Sequence, residues 1–265
     1  MSALAIEDVR PAPVVESPIP TSRIVAVELR KMFDTRSGFW LMASILGAAV
    51  LATGAVVLFA PDEDLTFSTF ATAVGFPMAV ILPMVAILSV TSEWSQRSGL
   101  STFTFVPHRG RVLRAKVVAA VGVAVVSMLV AYAVGAFGNL LVPALKGTER
   151  VWDLSVADLG LIVLANVLGL LLGFMLGVLL RSSAGAIVAY FVVSLVLPSL
   201  AALLAASQAW FADLQPWVDF NYAQGALFEG GVTGEQWAQL ATSGALWLAL
   251  PLALGIRLVL RAEVK

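Results

Sequence analysis

The chain contains no cysteine. A disulfide framework, a thiolate metal site and a thiol nucleophile are therefore excluded. Its one histidine, His108, stands alone. A single imidazole makes no zinc site, and no serine inside an apolar segment has a histidine to activate it. Charge is scarce too: Asp, Glu, Lys and Arg make up 12% of the 265 residues, against about a quarter in soluble domains. The net charge of −1 gives no support to nucleic-acid binding. There is no G-x-x-x-x-G-K-[ST] and no H-E-x-x-H; Lys146-Gly147 approaches the first in the wrong order. With no catalytic constellation, no enzymatic activity is expected of the chain itself, and no cofactor on it.

Apolar residues take the place of all this. They form 60% of the chain, and the mean hydropathy is +0.94. Six apolar segments stand out, at 39–60, 69–92, 117–138, 158–180, 184–206 and 238–260. At about 1.5 Å per residue, 22 residues of helix span roughly 33 Å, enough for a hydrocarbon core of about 30 Å. An isolated segment in lipid must satisfy its own backbone, so helices are expected. The ten-residue alternation of a β-barrel is absent. The expected fold is an all-α, polytopic integral membrane protein with six transmembrane helices over 39–260. No Asp, Glu, Lys, Arg or His lies in the middle of a segment. That argues against a proton- or sodium-driven carrier, which needs ionisable groups at depth.

Charge sets the orientation. If both termini share one side, that side holds Arg10, Arg23, Arg30, Lys31, Arg36, Arg97, Arg109, Arg111, Arg114, Lys116, Arg181, Arg257, Arg261 and Lys265. The other side holds only Lys146 and Arg150. Cytoplasmic loops collect Lys and Arg, so the termini are expected in the cytoplasm and the chain in the cell membrane. Residues 1–20, with four prolines and three carboxylates, read as a disordered cytoplasmic tail rather than a secretory signal. Residues 261–265 form a short cytoplasmic end.

Residues 21–38 read as an amphipathic interfacial helix. Val25, Leu29, Met32 and Phe33 share one face, with Glu28, Arg30, Lys31 and Asp34 on others. Thr21 or Ser22 is the expected cap and Gly38 the expected stop. On the outer side, 61–68 is short and acidic. In 139–157, Pro143 and Gly147 are expected breakers. The 207–237 segment carries Trp210, Phe211, Trp217, Phe220, Tyr222, Phe228 and Trp237. It reads either as an aromatic belt, on short helices that dip into the interface, or as a lid. In the second reading Trp210, Trp217, Phe220 and Tyr222 form an outer gate.

Two features lie within the segments. Gly169, Gly173 and Gly177 make a smooth stripe for close helix packing, against another helix of the chain or a second copy. Pro77 and Pro83 fall in one segment, which is expected to be kinked or locally unwound; Pro198 and Pro251 fall in two others.

The inner loop reads TSEWSQRSGLSTFTFVPHRGRVLRAK over 91–116. Its cations alone would be explained by the positive-inside rule. The apolar residues from Leu100 to Val106 would not, and they suggest docking against a protein or the membrane surface. Glu93 with Trp94, the Ser98-Gly99-Leu100 turn, Thr102 to Val106, Pro107, Arg109 and Lys116 together resemble the inner loop of type-2 ATP-binding-cassette (ABC) exporter permeases. The likeness extends to the preceding amphipathic helix, the six segments and the long loop before the last. Thr104-Phe105-Val106 departs from the Leu-rich run usual there.

The resemblance implies a permease without its own motor. A separate cytoplasmic ATPase would carry ATP and Mg and dock on Glu93, Arg97, Gly99, Leu100, Thr102, Phe103, Phe105, Pro107 and Arg109. A second copy or a related permease would complete the path, surrounded by membrane lipid. The alternative is a non-transporting scaffold or assembly factor.

Overall fold

The computed structural model describes residues 19–34, 36–95 and 109–261. Of Ser37, Glu93, Trp94, Ser95 and Arg109 it describes the backbone alone. Helices run at Thr21–Asp34 (α1), Arg36–Phe59 (α2), Phe67–Ser95 (α3), Arg109–Lys146 (α4) and Val156–Leu180 (α5). They continue at Ser183–Ser207 (α6), Ala209–Val218 (α7), Phe220–Glu229 (α8) and Gly234–Arg261 (α9). A single isolated bridge, Thr66 to Val151, is the one β feature among the described residues.

Six of these helices are long and apolar enough to cross a membrane: α2 from Gly38, α3 as far as Ser92, α4 from Gly110, and all of α5, α6 and α9. The protein is an all-α, multi-pass membrane architecture. The described cations other than Lys146 and Arg150 gather at one end of the bundle, called the basic end below.

Helix α5 is the axis. Two thirds of its most apolar window (67%) is buried inside the protein, against 6% for α6. Small residues make this possible. A Cβ on Gly173 would stand 2.9 Å from both the ring Cβ and the carbonyl oxygen of Pro83. One on Gly177 would stand 3.5 Å from Ile87 Cα. Gly173 and Gly177 therefore pack against α3 of the same chain, where backbone meets backbone, while Gly169 faces the side chains of Gln224 and Tyr190 on α8 and α6.

Helix α3 runs unbroken through Pro77 and Pro83, so the expected unwinding does not occur. Proline lacks an N–H and deprives the carbonyl four residues earlier. For Pro83 that carbonyl is Ala79 O, and the Tyr190 hydroxyl of α6 donates to it at 2.7 Å. A neighbouring helix supplies the missing donor, so the helix need not open.

Helix α4 is longer than its apolar core at 117–138: its 38 residues extend roughly 57 Å at 1.5 Å each. Pro143 lies inside it and does not break it; Gly147, at φ +74°, ends it. The loop that follows is strapped to the start of α3. Phe67 N–H donates to Val151 O at 3.0 Å, and so does Asn139 Nδ2 at 3.0 Å. Asp153 accepts from Ser68 N–H at 2.8 Å and from Ser68 Oγ at 2.6 Å, satisfying a donor of the first helical turn.

Burial pushes the Asp153 carboxyl upward, but the bonds from Ser68 outweigh it and hold its pKa below the usual range. A depressed carboxylate stabilises the fold fully above its unfolded pKa of about 3.9 and loses that contribution as pH falls through the lower folded value. Hydrogen exchange at residues 67–70, corrected for intrinsic rates, should stay constant from pH 7 to 5. It should accelerate only under strong acid, and Asp153→Asn should remove that pH dependence. Identical acid behaviour in parent and variant would refute it.

Helix α1 departs from expectation. Its buried residues are Ile24, Glu28 and Met32. Val25 and Leu29 are half-buried against the core, while Phe33 is exposed. The buried face is thus rotated from the apolar stripe and centred on a carboxylate. The helix starts at Thr21 itself, directly after Pro20, and ends at Asp34; Gly38 lies inside α2.

Candidate functional site

Glu28 is buried because Lys116 is buried beside it. Lys116 Nζ lies 2.5 Å from Glu28 Oε2, with the two side chains 2% and 3% exposed. Lys116 also donates to Ser89 O of α3 at 3.0 Å, and the half-exposed Lys31 reaches Glu28 Oε1 at 2.7 Å. Arg111 donates to Ile19 O, fastening the start of α1 to α4. Together these bonds tie α1 to the basic ends of α3 and α4. Lys116 is therefore not a loop cation of the kind that orients a membrane protein; it is an internal bolt.

The expected docking segment leaves α3 and enters α4 beside this bolt. Glu93 lies in the last turn of α3 and Arg109 opens α4. Arg97, Gly99, Leu100, Thr102, Phe103, Phe105 and Pro107 lie outside the described residues.

At the opposite end the segment 207–237 folds inward. Helices α7 and α8 form a hairpin, and three side-chain bonds to backbone carbonyls locate its turn. Asn221 Nδ2 donates to Val193 O of α6 at 3.0 Å. Trp247 Nε1 of α9 donates to Val218 O at 2.7 Å. Gln224 Nε2 donates to Ala165 O of α5 at 2.6 Å. Val193 and Trp247 lie near the midpoints of their spans, and Ala165 lies a few residues from the middle of α5. The hairpin is thus re-entrant, with its turn at mid-span. Phe220, Ala223 and Leu227 of α8 are buried in one core cluster with residues of α3, α5, α6 and α9.

The four expected gate aromatics do not form one layer. Phe220 is buried, its ring 3.5 Å from where a Cβ on Gly244 would lie. Trp217 is half-buried, and Trp210 and Tyr222 are exposed. The residues that seat the hairpin are instead Asn221, Gln224 and Trp247, which composition alone does not single out.

The turn also carries a carboxylate to depth. Asp219 caps α8, accepting from Asn221 N–H at 3.0 Å, Tyr222 N–H at 3.2 Å and Gln215 Nε2 at 3.2 Å. No span holds an Asp, Glu, Lys, Arg or His at its centre, yet the hairpin delivers a carboxylate there. The sequence argument against ion coupling thereby loses its premise.

The seat has an unusual backbone. Residues Val192–Val196 of α6 and Ala245–Ala249 of α9 each form a π turn. Each turn begins six residues before a proline, Pro198 and Pro251 respectively. In α6, Leu197 N–H reaches back to Val192 O. Pro198 has no N–H to offer Val193 O. Both main-chain donors are thus denied to Val193 O, and Asn221 takes their place. Such a carbonyl at membrane depth costs several kcal/mol when left without a donor.

No protein-family model and no curated protein matches this chain. Among the described residues no three His, Asp or Glu side chains are grouped to hold a metal ion.

Proposed function

We propose that this chain is the permease subunit of an ABC exporter. In this reading it forms the translocation path, with a second copy or a related chain, in the cell membrane, with both termini cytoplasmic. ATP and Mg belong to a separate cytoplasmic ATPase that docks on the inner loop 93–107. The observation that carries the reading is the Glu28–Lys116 bolt. It couples α1 to the two helix ends from which that segment springs. A force applied to the segment would then move α1, α3 and α4 together, as a motor-driven permease requires. The re-entrant hairpin supports the same reading: it fills the half of the bundle opposite the motor and serves as the outer gate.

A coupling element must contact its motor differently in two states, or it transmits nothing. Its apolar residues are the natural contact. A tagged full-length chain purified from its native membranes should carry ATP hydrolysis with it. Replacing Leu100, Phe103 and Phe105 together by Glu should remove that ATPase while membrane insertion is kept. Retention of the ATPase by the triple variant would overturn the docking assignment. A parent chain that carries none favours the scaffold reading instead.

A further inference from the structure

The π turn in α6 decides which backbone acceptor the helix leaves open. In the observed form the acceptor is Val193 O, because Leu197 N–H bonds Val192 O and Pro198 has no N–H. Wound as an α-helix, Leu197 N–H would return to Val193 O, and Pro198 would deprive Ser194 O instead. One residue of shift turns the open acceptor by about 100° around the axis. The π form aims it at Asn221 Nδ2, 3.0 Å away; the α form withdraws it.

Helix α9 repeats the arrangement. Leu250 N–H reaches Ala245 O, and Pro251 cannot serve Leu246 O. Within that turn Trp247 holds Val218 O, on the other side of the hairpin turn from Asn221. The two π turns thus grip one hairpin from two helices.

We propose that the seated hairpin and the π turn of α6 are a single two-state element. Asn221 holds α6 in the π form, and rewinding α6 to α releases the hairpin. π turns are single-turn irregularities found often at functional sites, and a switch of this kind supplies the discrete element that conformational coupling needs. Its role in opening an outer gate rests on the permease reading; the linkage of hairpin to winding does not.

The absence of cysteine makes the test clean. Ala223, 4% exposed on α8, becomes a reporter as Ala223→Cys, labelled by a membrane-impermeant maleimide in nanodiscs without ATPase or nucleotide. Asn221→Leu removes the donor. Pro198→Ala restores an N–H that competes with Asn221 for Val193 O in the π form and satisfies Ser194 O in the α form, which favours release. Each change alone should raise the labelling rate about tenfold, in keeping with the loss of one buried hydrogen bond. The double variant should label no faster than the faster single, because both break one link.

Singles within about twofold of the reporter, or effects that multiply in the double, would overturn the proposal. Trp247→Phe keeps an aromatic side chain but removes the indole N–H, and should loosen the hairpin likewise, which preserves a test if Asn221→Leu fails to insert. A failed linkage leaves the ATPase result standing, and an absent ATPase leaves the labelling result standing.

Discussion

Glu28→Leu lowers the stability of this protein by about 3–5 kcal/mol, the usual consequence of removing one partner of a buried ion pair. Lys116 is 2% exposed and reaches Glu28 at 2.5 Å. Without the carboxylate its ammonium keeps the Ser89 carbonyl, but loses the Glu28 oxygen at 2.5 Å in a site closed to water. Thermal unfolding in detergent, followed by tryptophan fluorescence, measures the loss. The decisive arm is the double variant Glu28→Leu with Lys116→Met. Replacing a buried ion pair by packed apolar groups is often neutral or stabilising, so most of the stability should return. In the permease reading, however, the double variant should uncouple ATP hydrolysis from transport, because the bolt between α1 and α4 is gone. A single variant as stable as the parent would show that the pair is not buried in the membrane-embedded protein.

Gly173→Ala has the second large effect. The added methyl would meet the Pro83 ring and the Pro83 carbonyl, both at 2.9 Å. Neither can yield, since one is a closed ring and the other is backbone. Helices α3 and α5 must separate, at a cost of about 1–3 kcal/mol by the usual penalty for overpacking. Gly122→Ala is the control: nothing lies within 4 Å of its added methyl, so it should be neutral or stabilise helix α4 by up to about 1 kcal/mol. Unfolding midpoints of the two variants that move together would show that propensity, not packing, sets the outcome at Gly173.

Much of the helix inventory was legible because lipid leaves little choice. A run of 22 or more apolar residues without charge must form a hydrogen-bonded helix. All six expected segments coincide with the six candidate spans, although α4 extends past both ends of 117–138. The overrun has a simple cause: hydropathy marks where a helix is greasy, not where its backbone stops. Gly147 stops it, at a φ that other residues rarely adopt. The glycine stripe was legible as a packing surface, but its partner was not, since a smooth face suits any close helix.

The seat of the hairpin was hidden for a different reason. Asn221 and Gln224 look like ordinary loop polars, and they matter only because Val193, left open by Pro198, and Ala165 of α5 present carbonyls to them. Prolines alone did not foretell this. Pro77 and Pro83 leave α3 α-helical, whereas Pro198 and Pro251 follow π turns. For Pro83 the donor to the deprived carbonyl comes from Tyr190.

Composition and hydropathy by themselves determined that this chain is a helical, multi-pass membrane protein, because those properties follow from the transfer free energy of single segments. Tertiary structure alone decided that Glu28 and Lys116 form one buried pair and that 207–237 re-enters the bundle. It likewise decided that a π turn at mid-span offers its carbonyl to Asn221. Each of these depends on residues far apart in sequence, 88 positions for Glu28 and Lys116 and 28 for Asn221 and Val193. A buried charge inside a bundle needs such a partner to meet it.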